Sequence, residues 1–131
     1  MNPQDTQNQQ LDPSVMNLAK AIGQQESGGD YNAKGKDGEV GAYQFTPGFL
    51  KNYGPKFLGQ FDPNNLTPEQ QDKLAYGVVK EWGTTGNPAY PQIGKMSPAE
   101  IASAWNAGDP HAYMEGNVGV SKGGAPYNTG K

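Results

Sequence analysis

The sequence predicts a mainly α-helical domain with a small loop or hairpin behind its first helix. Three observations carry this expectation. Apolar residues recur at helical spacing in several short stretches, and each stretch opens on a capping residue followed by proline: Asp12-Pro13, Thr46-Pro47, Thr67-Pro68 and Ser97-Pro98. Glycine and proline, 19 and 11 of 131 residues, are frequent enough to imply long connections around short elements. The length suits one domain with a modest core, and neither an internal repeat nor a linker divides it.

Residues 1–11 are Asn/Gln-rich and aperiodic, which predicts a flexible arm ahead of a domain at 12–131, with Leu11 packed as a staple on the first helix. That helix is expected over about residues 13–26, its buried face marked by Val15, Leu18, Ala19 and Ile22. One further turn along this face lies Glu26. Burial and the negative end of the helix dipole both disfavour its charged form, so its pKa is expected above the reference of about 4.3, as a general acid requires. Gly28-Gly29 stops the helix, Asp37-Gly38 is the best turn signal in the loop that follows, and Gly41-Ala42-Tyr43-Gln44-Phe45 leads to the next helix.

The second helix carries Phe49, Leu50 and Tyr53 and is expected to end at Gly54-Pro55. After a turn at Asp62-Pro63-Asn64-Asn65, the capping box Thr67 to Gln70 opens the clearest helix, about 68–82, with Leu74, Ala75, Val78, Val79 and Trp82 as the main core stripe. A second capping box, Ser97 to Glu100, opens a short helix through Ile101, Ala102, Ala104 and Trp105, stopped at Asn106-Ala107-Gly108. Trp82 and Trp105 are read as core and His111 as a surface residue. The glycine-rich tail is expected to be irregular, pinned by Val118, Val120 and Tyr127.

Composition narrows the chemistry. A net charge of −3 without a Lys/Arg cluster gives no footprint for nucleic acid. No apolar run approaches the roughly 18 residues of a membrane span, and the first ten residues lack the basic and apolar regions of a secretory signal. Cysteine is absent and His111 is the lone histidine, which disfavours thiolate sites, histidine metal sites and Ser-His-Asp triads. Asp30, Asn32 and Gly35 echo a calcium loop, but Lys34 takes a ligand position and Gly41 stands where the closing glutamate belongs. Neither metal nor cofactor is expected, and carboxylates remain as the groups for chemistry.

Glu26-Ser27 at a helix end, Gly41-Ala42-Tyr43-Gln44-Phe45, and Ser103-Ala104-Trp105-Asn106-Ala107-Gly108 together resemble the lysozyme-like superfamily, within it the soluble-type lytic transglycosylases and their phage relatives. The second and third stretches are similar to the family's Gly-Leu-Met-Gln-Ile and Ala-Tyr-Asn-Ala-Gly segments. The resemblance implies a lysozyme-like α+β fold whose cleft takes a peptidoglycan glycan strand and cuts the β-1,4 bond between N-acetylmuramic acid and N-acetylglucosamine. It implies Glu26 as catalytic acid, with Ser27, Tyr43, Gln44, Asn106 and Tyr127 at the substrate, Tyr43 as an apolar wall or sugar-stacking face. Trp105 replaces the motif's tyrosine and Tyr43 its methionine. A lytic transglycosylase needs one carboxylate, because the muramyl 6-hydroxyl closes a 1,6-anhydro ring. A hydrolytic muramidase needs a second, for which Glu39 is preferred over Asp30 and Asp37, at about 5–5.5 Å for retention or 6.5–9.5 Å for inversion. A reading of another class is a non-catalytic wall-binding or phage tail component.

The family closes with a helix that would lie beyond Lys131, so the chain is expected to be a piece of a longer protein. The implied partners are glycan strands, then phage tail or secretion-machine proteins. The implied place of action is the cell wall, in the periplasm or outside the cell, reached on a virion or through another factor.

Overall fold

In the computed structural model the described residues are 11–111, together with the backbone of 119–120 and 126–127. They form four helices: α1 (Pro13–Ser27), α2 (Pro47–Leu58), α3 (Pro68–Thr84) and α4 (Pro98–Ala107). Gly119–Val120 (β1) and Pro126–Tyr127 (β2) pair antiparallel, with Gly119 opposite Tyr127. The protein is thus mainly α. The loop between α1 and α2 carries two isolated bridges, Lys34 to Val40 and Val40 to Phe45, at the place of the expected loop or hairpin. Residues 1–10 and the side chains of Val118, Val120 and Tyr127 lie outside the described residues. Leu11, the expected staple, is 47% exposed.

Each helix starts at its Asp-, Thr- or Ser-Pro signal. Asp12 accepts the Ser14 N–H at 2.9 Å and Thr46 accepts the Phe49 N–H at 3.1 Å. At Thr67/Gln70 and Ser97/Glu100 both hydrogen bonds of the capping box form. Proline at the first helical position has no N–H to leave unsatisfied, so these starts combine a cap with a pre-set φ. Gly28 and Gly108 close α1 and α4 in left-handed conformation, at φ 72° and 74°, which glycine adopts without a Cβ penalty.

One helix boundary departs from expectation. α2 does not stop at Gly54-Pro55 but continues through Pro55 to Leu58. A proline inside a helix costs about 3 kcal/mol, and tertiary contacts offset it here. The Phe57 ring covers Gly77 of α3 so closely that a Cβ there would sit 2.4 Å from Cδ1, and Phe61 packs on Gly54 in the same way. Lys56 also pairs with Glu81 across the two helices.

α3 touches all three other helices. Its stripe of Leu74, Ala75, Val78, Val79 and Trp82 is buried, facing Ala19 and Ile22 of α1 and Ile101 and Trp105 of α4 in one core. Burying a side chain such as Leu74 stabilises by about 1.5–3 kcal/mol. A chain of aromatic contacts (Tyr43, Phe45, Phe49, Tyr53, Trp82, Trp105) fills the core beside the segment 41–45. That packing fixes where the ends of α1 and α4 meet.

Candidate active site

Glu26 stands on the last turn of α1, one turn beyond Ile22, which is buried. The residue is half-buried and its Oε1 atom is shielded from solvent. Its Oε2 accepts a hydrogen bond of 3.1 Å from Nδ2 of Asn106, a buried residue in the last turn of α4. Two helix C-termini, distant in sequence, therefore converge on one carboxylate. Both turn away immediately at a left-handed glycine, which leaves their last side chains to face each other.

The dipeptide Ala42-Tyr43 joins the two ends. Ser27 Oγ donates to the Ala42 carbonyl at 2.7 Å while accepting the Asp30 N–H at 2.9 Å. Trp105 Nε1 donates to the Tyr43 carbonyl at 3.0 Å. From α3, Gln71 Oε1 accepts the Ala42 N–H at 2.9 Å, and its Nε2 donates to the carbonyls of Tyr31 and Leu66. Gln71 is thus a buried amide whose oxygen and nitrogen are both engaged. It lies flush against Gly41, whose φ of 81° and lack of Cβ permit the approach. Gln44 follows at φ 52°, a left-handed conformation uncommon outside glycine and strained when held by its surroundings. Its amide donates to the Gly41 carbonyl at 2.8 Å.

Beside this junction a cleft of about 350 Å³ is lined by Gln44, Phe45, Phe49, Trp82, Trp105 and Asn106 among others. Glu26 is not among its lining residues and meets the cleft through Asn106. The floor is aromatic, with Phe45 and Phe49 stacked at 5.2 Å and Phe49 against Trp105 at 5.0 Å. An apolar floor with amide groups at one edge suits a sugar, which offers a C–H face to aromatic rings and hydroxyls to amides.

Of the residues expected at the substrate, Gln44 and Asn106 border the cleft. Tyr43 does not provide a sugar-stacking face. It is 1% exposed, its ring lies on Gly23 of α1, and its hydroxyl donates to Asp72 at 2.7 Å. The apolar-aromatic pattern of residues 41–45 marks core packing, which draws this ring inward. Ser27 is half-buried and its hydroxyl links the end of α1 to Ala42. Tyr127 pairs through its backbone with Gly119, and its side chain lies outside the described residues.

Among the proposed second carboxylates, Glu39 is 6% exposed and accepts the Asp37 N–H at 3.0 Å, holding the Gly35–Gly38 turn. Its Oε1 and that of Gln44 both lie within 3 Å of where a Cβ on Gly35 would stand, so the two side chains share one side of the loop. Asp30 is exposed and caps its own loop through the Asn32 N–H at 2.9 Å, and Asp37 is exposed. Among the described residues no group of three or more His, Cys, Asp and Glu could hold a metal ion, and no helix is long and apolar enough to cross a membrane. His111 is exposed and pairs with Glu100 at 2.8 Å. The Ser97 N–H, followed by His111, holds the Glu100 carboxyl below its ordinary range.

Sequence reasoning missed Gln71 and Phe49 as parts of the site. Gln71 carried a signal: it falls on the α3 stripe three and four residues before Leu74 and Ala75, a polar side chain where an apolar one belongs. Phe49 carried none, since a helical aromatic reads equally as core.

The family model described as the transglycosylase-like domain matches residues 15–92, more than half of the chain. No curated protein and no solved structure matches significantly. The matched span holds Glu26 and residues 41–45 and ends before Asn106, which the fold brings back to Glu26. Such a domain supports a glycosidase or transglycosylase activity on peptidoglycan. By this match, read with the junction of Glu26 and residues 41–45, the chain belongs to the transglycosylase-like domain family.

Proposed function

We propose that the protein is a lytic transglycosylase that cuts the β-1,4 bond between N-acetylmuramic acid and N-acetylglucosamine, with Glu26 as its single acid and base. The observation that carries this reading is the Asn106 to Glu26 hydrogen bond at the edge of an aromatic-floored cleft. The protonated carboxyl of Glu26 gives its proton to the leaving glycosidic oxygen. The resulting carboxylate takes the proton of the muramyl 6-hydroxyl, whose oxygen bonds to the anomeric carbon and closes the 1,6-anhydro ring. Proton count balances and no water is consumed. Asn106 holds the carboxylate through this cycle with a hydrogen bond that strengthens as charge develops. Gln44, at the cleft rim, is placed to bond sugar hydroxyls or acetamido groups. The place of action is the cell wall.

A muramidase is a second reading, favoured by one observation: Glu39 shares the Gln44 side of the loop. Against it, the Glu39 carboxylate is buried and engaged by the Asp37 N–H. Product mass spectrometry on digested cell walls tests both. Anhydro-muramyl ends, one water lighter than reducing ends, are expected. Reducing ends alone mean hydrolysis, and no soluble product means a binding module. Glu26→Gln is expected to abolish product formation without unfolding the protein, and retained activity in it removes Glu26 from the mechanism.

A further inference from the structure

We infer that Asp72 is a positioning residue for the reaction: it anchors the Tyr43 hydroxyl and so sets the registry of the two helix ends that carry Glu26 and Asn106. This inference rests on the reading of Glu26 as the acid. Asp72 is not among the cleft-lining residues, so it acts through others.

The connections run in both directions from one carboxylate. Asp72 Oδ1 accepts the Tyr43 hydroxyl at 2.7 Å and the Tyr31 hydroxyl at 2.9 Å, and its Oδ2 accepts Lys20 Nζ of α1 at 3.2 Å. Tyr43 is the shared element. Its ring rests on Gly23, one turn before Glu26, at a distance where an added Cβ would stand 3.2 Å from Cε1. Its carbonyl accepts the indole N–H of Trp105, the residue before Asn106. A rotation of Tyr43 therefore moves the last turn of α1 on one side and the last turn of α4 on the other. Gln71, the neighbour of Asp72 on α3, holds the Ala42 N–H, so consecutive residues of one helix grip the backbone of one residue and the side chain of the next. Gln44, directly after the gripped dipeptide, keeps its left-handed backbone because the preceding residues cannot relax.

The tyrosine hydroxyl is what makes the anchor. The resembling motif has methionine at this position, and a thioether has no proton to donate to a carboxylate. The ring alone explains burial in the core. The hydroxyl, directed at an ionisable group of α3 that is 27% exposed at its side chain, is the part packing does not require.

The test compares wild type, Tyr43→Phe, Asp72→Asn, Asp72→Ala, the double variant Tyr43→Phe/Asp72→Ala, and Glu26→Gln on soluble glycan fragments, with kcat, KM and Tm for each. Tyr43→Phe keeps the ring and is the variant that folds even if Asp72→Ala does not. A misplacement of the acid by a fraction of an ångström predicts a fall in kcat of roughly tenfold in Tyr43→Phe and in Asp72→Ala, with KM within about twofold of wild type because neither residue lines the cleft. Asp72→Asn, whose amide oxygen still accepts the Tyr43 hydroxyl, recovers kcat relative to Asp72→Ala. The double variant loses no more than the larger single loss, since one bond carries both effects. A wild-type kcat in folded Tyr43→Phe, or losses that multiply in the double variant, overturns the inference. If Glu26→Gln turns over like wild type, or wild type does not turn over, the acid assignment fails and this inference falls with it. If Glu26→Gln is inactive while Tyr43→Phe is unimpaired, the positioning role alone fails.

Discussion

Gly41→Ala is the most demanding test of how the junction is built, because it adds one methyl group and leaves every charged group in place. At φ 81° an alanine costs about 1–2 kcal/mol. The new Cβ would lie 2.2 Å from Gln71 Oε1 and 2.7 Å from its Cδ, below any real contact. Gln71 is 2% exposed and cannot swing to solvent, so it gives up its bond to the Ala42 N–H or those to Tyr31 and Leu66. A buried amide left unsatisfied costs a further 1–3 kcal/mol. The sum, about 2–5 kcal/mol, is a large share of a typical stability of 5–15 kcal/mol. For a domain of this size Tm falls by roughly 6–25 °C. Circular dichroism melts and urea unfolding read the change, with Gly48→Ala as the control. Nothing lies within 4 Å of a Cβ at Gly48, in the first turn of α2, and alanine there stabilises by about 0.4–1 kcal/mol. If Gly41→Ala melts within about 2 °C of wild type, the packing of Gln71 against this glycine does not govern the segment.

Other consequences are sharp enough to measure. Asn106→Leu keeps the branched outline of the side chain but removes the donor to Glu26 Oε2, and a hydrogen bond to a charged group lost at that point lowers kcat by roughly 10- to 100-fold in protein that circular dichroism shows to be folded; an unaltered rate in single-turnover assays counts against Asn106 as partner of Glu26. Gly77→Ala drives a Cβ into the Phe57 ring and costs about 1–3 kcal/mol by overpacking, and an unchanged urea midpoint in that variant counts against the Phe57 contact as what carries α2 past Pro55. Burial, then the bond to Asp72, pushes the Tyr43 hydroxyl above its ordinary value of 10.0, and the bond to Tyr31 raises Lys20 above 10.5. In both, the proton is held more tightly folded than unfolded. Their stabilisation is complete below about pH 10 and is lost as pH rises further. The urea midpoint should hold up to about pH 10 and drop above it in wild type, less steeply in Tyr43→Phe, and equal slopes would remove Tyr43 as the cause.

The helices were legible because their starts are chemical and local. Asp12, Thr46, Thr67 and Ser97 each accept a backbone N–H within three residues, and each precedes a proline, so no distant contact is needed to place them. The end of α2 was not legible because it is decided elsewhere: Pro55 argues for a stop, and Gly77, on another helix, lets Phe57 argue for continuing. The same division runs through the site. Glu26 on the buried face of α1 follows from spacing. Tyr43, placed at the cleft wall by analogy with a methionine, is drawn into the core by Asp72 and Gly23, whose meeting with it no local pattern announces.

The substitutions that set this chain apart from the motif it resembles fall on two residues that touch. Tyr43 and Trp105 replace a methionine and a tyrosine, and the indole N–H of one bonds the carbonyl of the other while their rings meet edge to face at 6.5 Å. Together they fill one space, and the polar atoms they bring, an indole N–H and a phenol, both find acceptors. The larger rings thus brace the segment between the acid and its amide partner from within, and the cleft wall is left to Gln44, Phe49 and Asn106. Under the proposed function, contact with the glycan falls to those three residues, and the placing of Glu26 to the two aromatic ones beneath them.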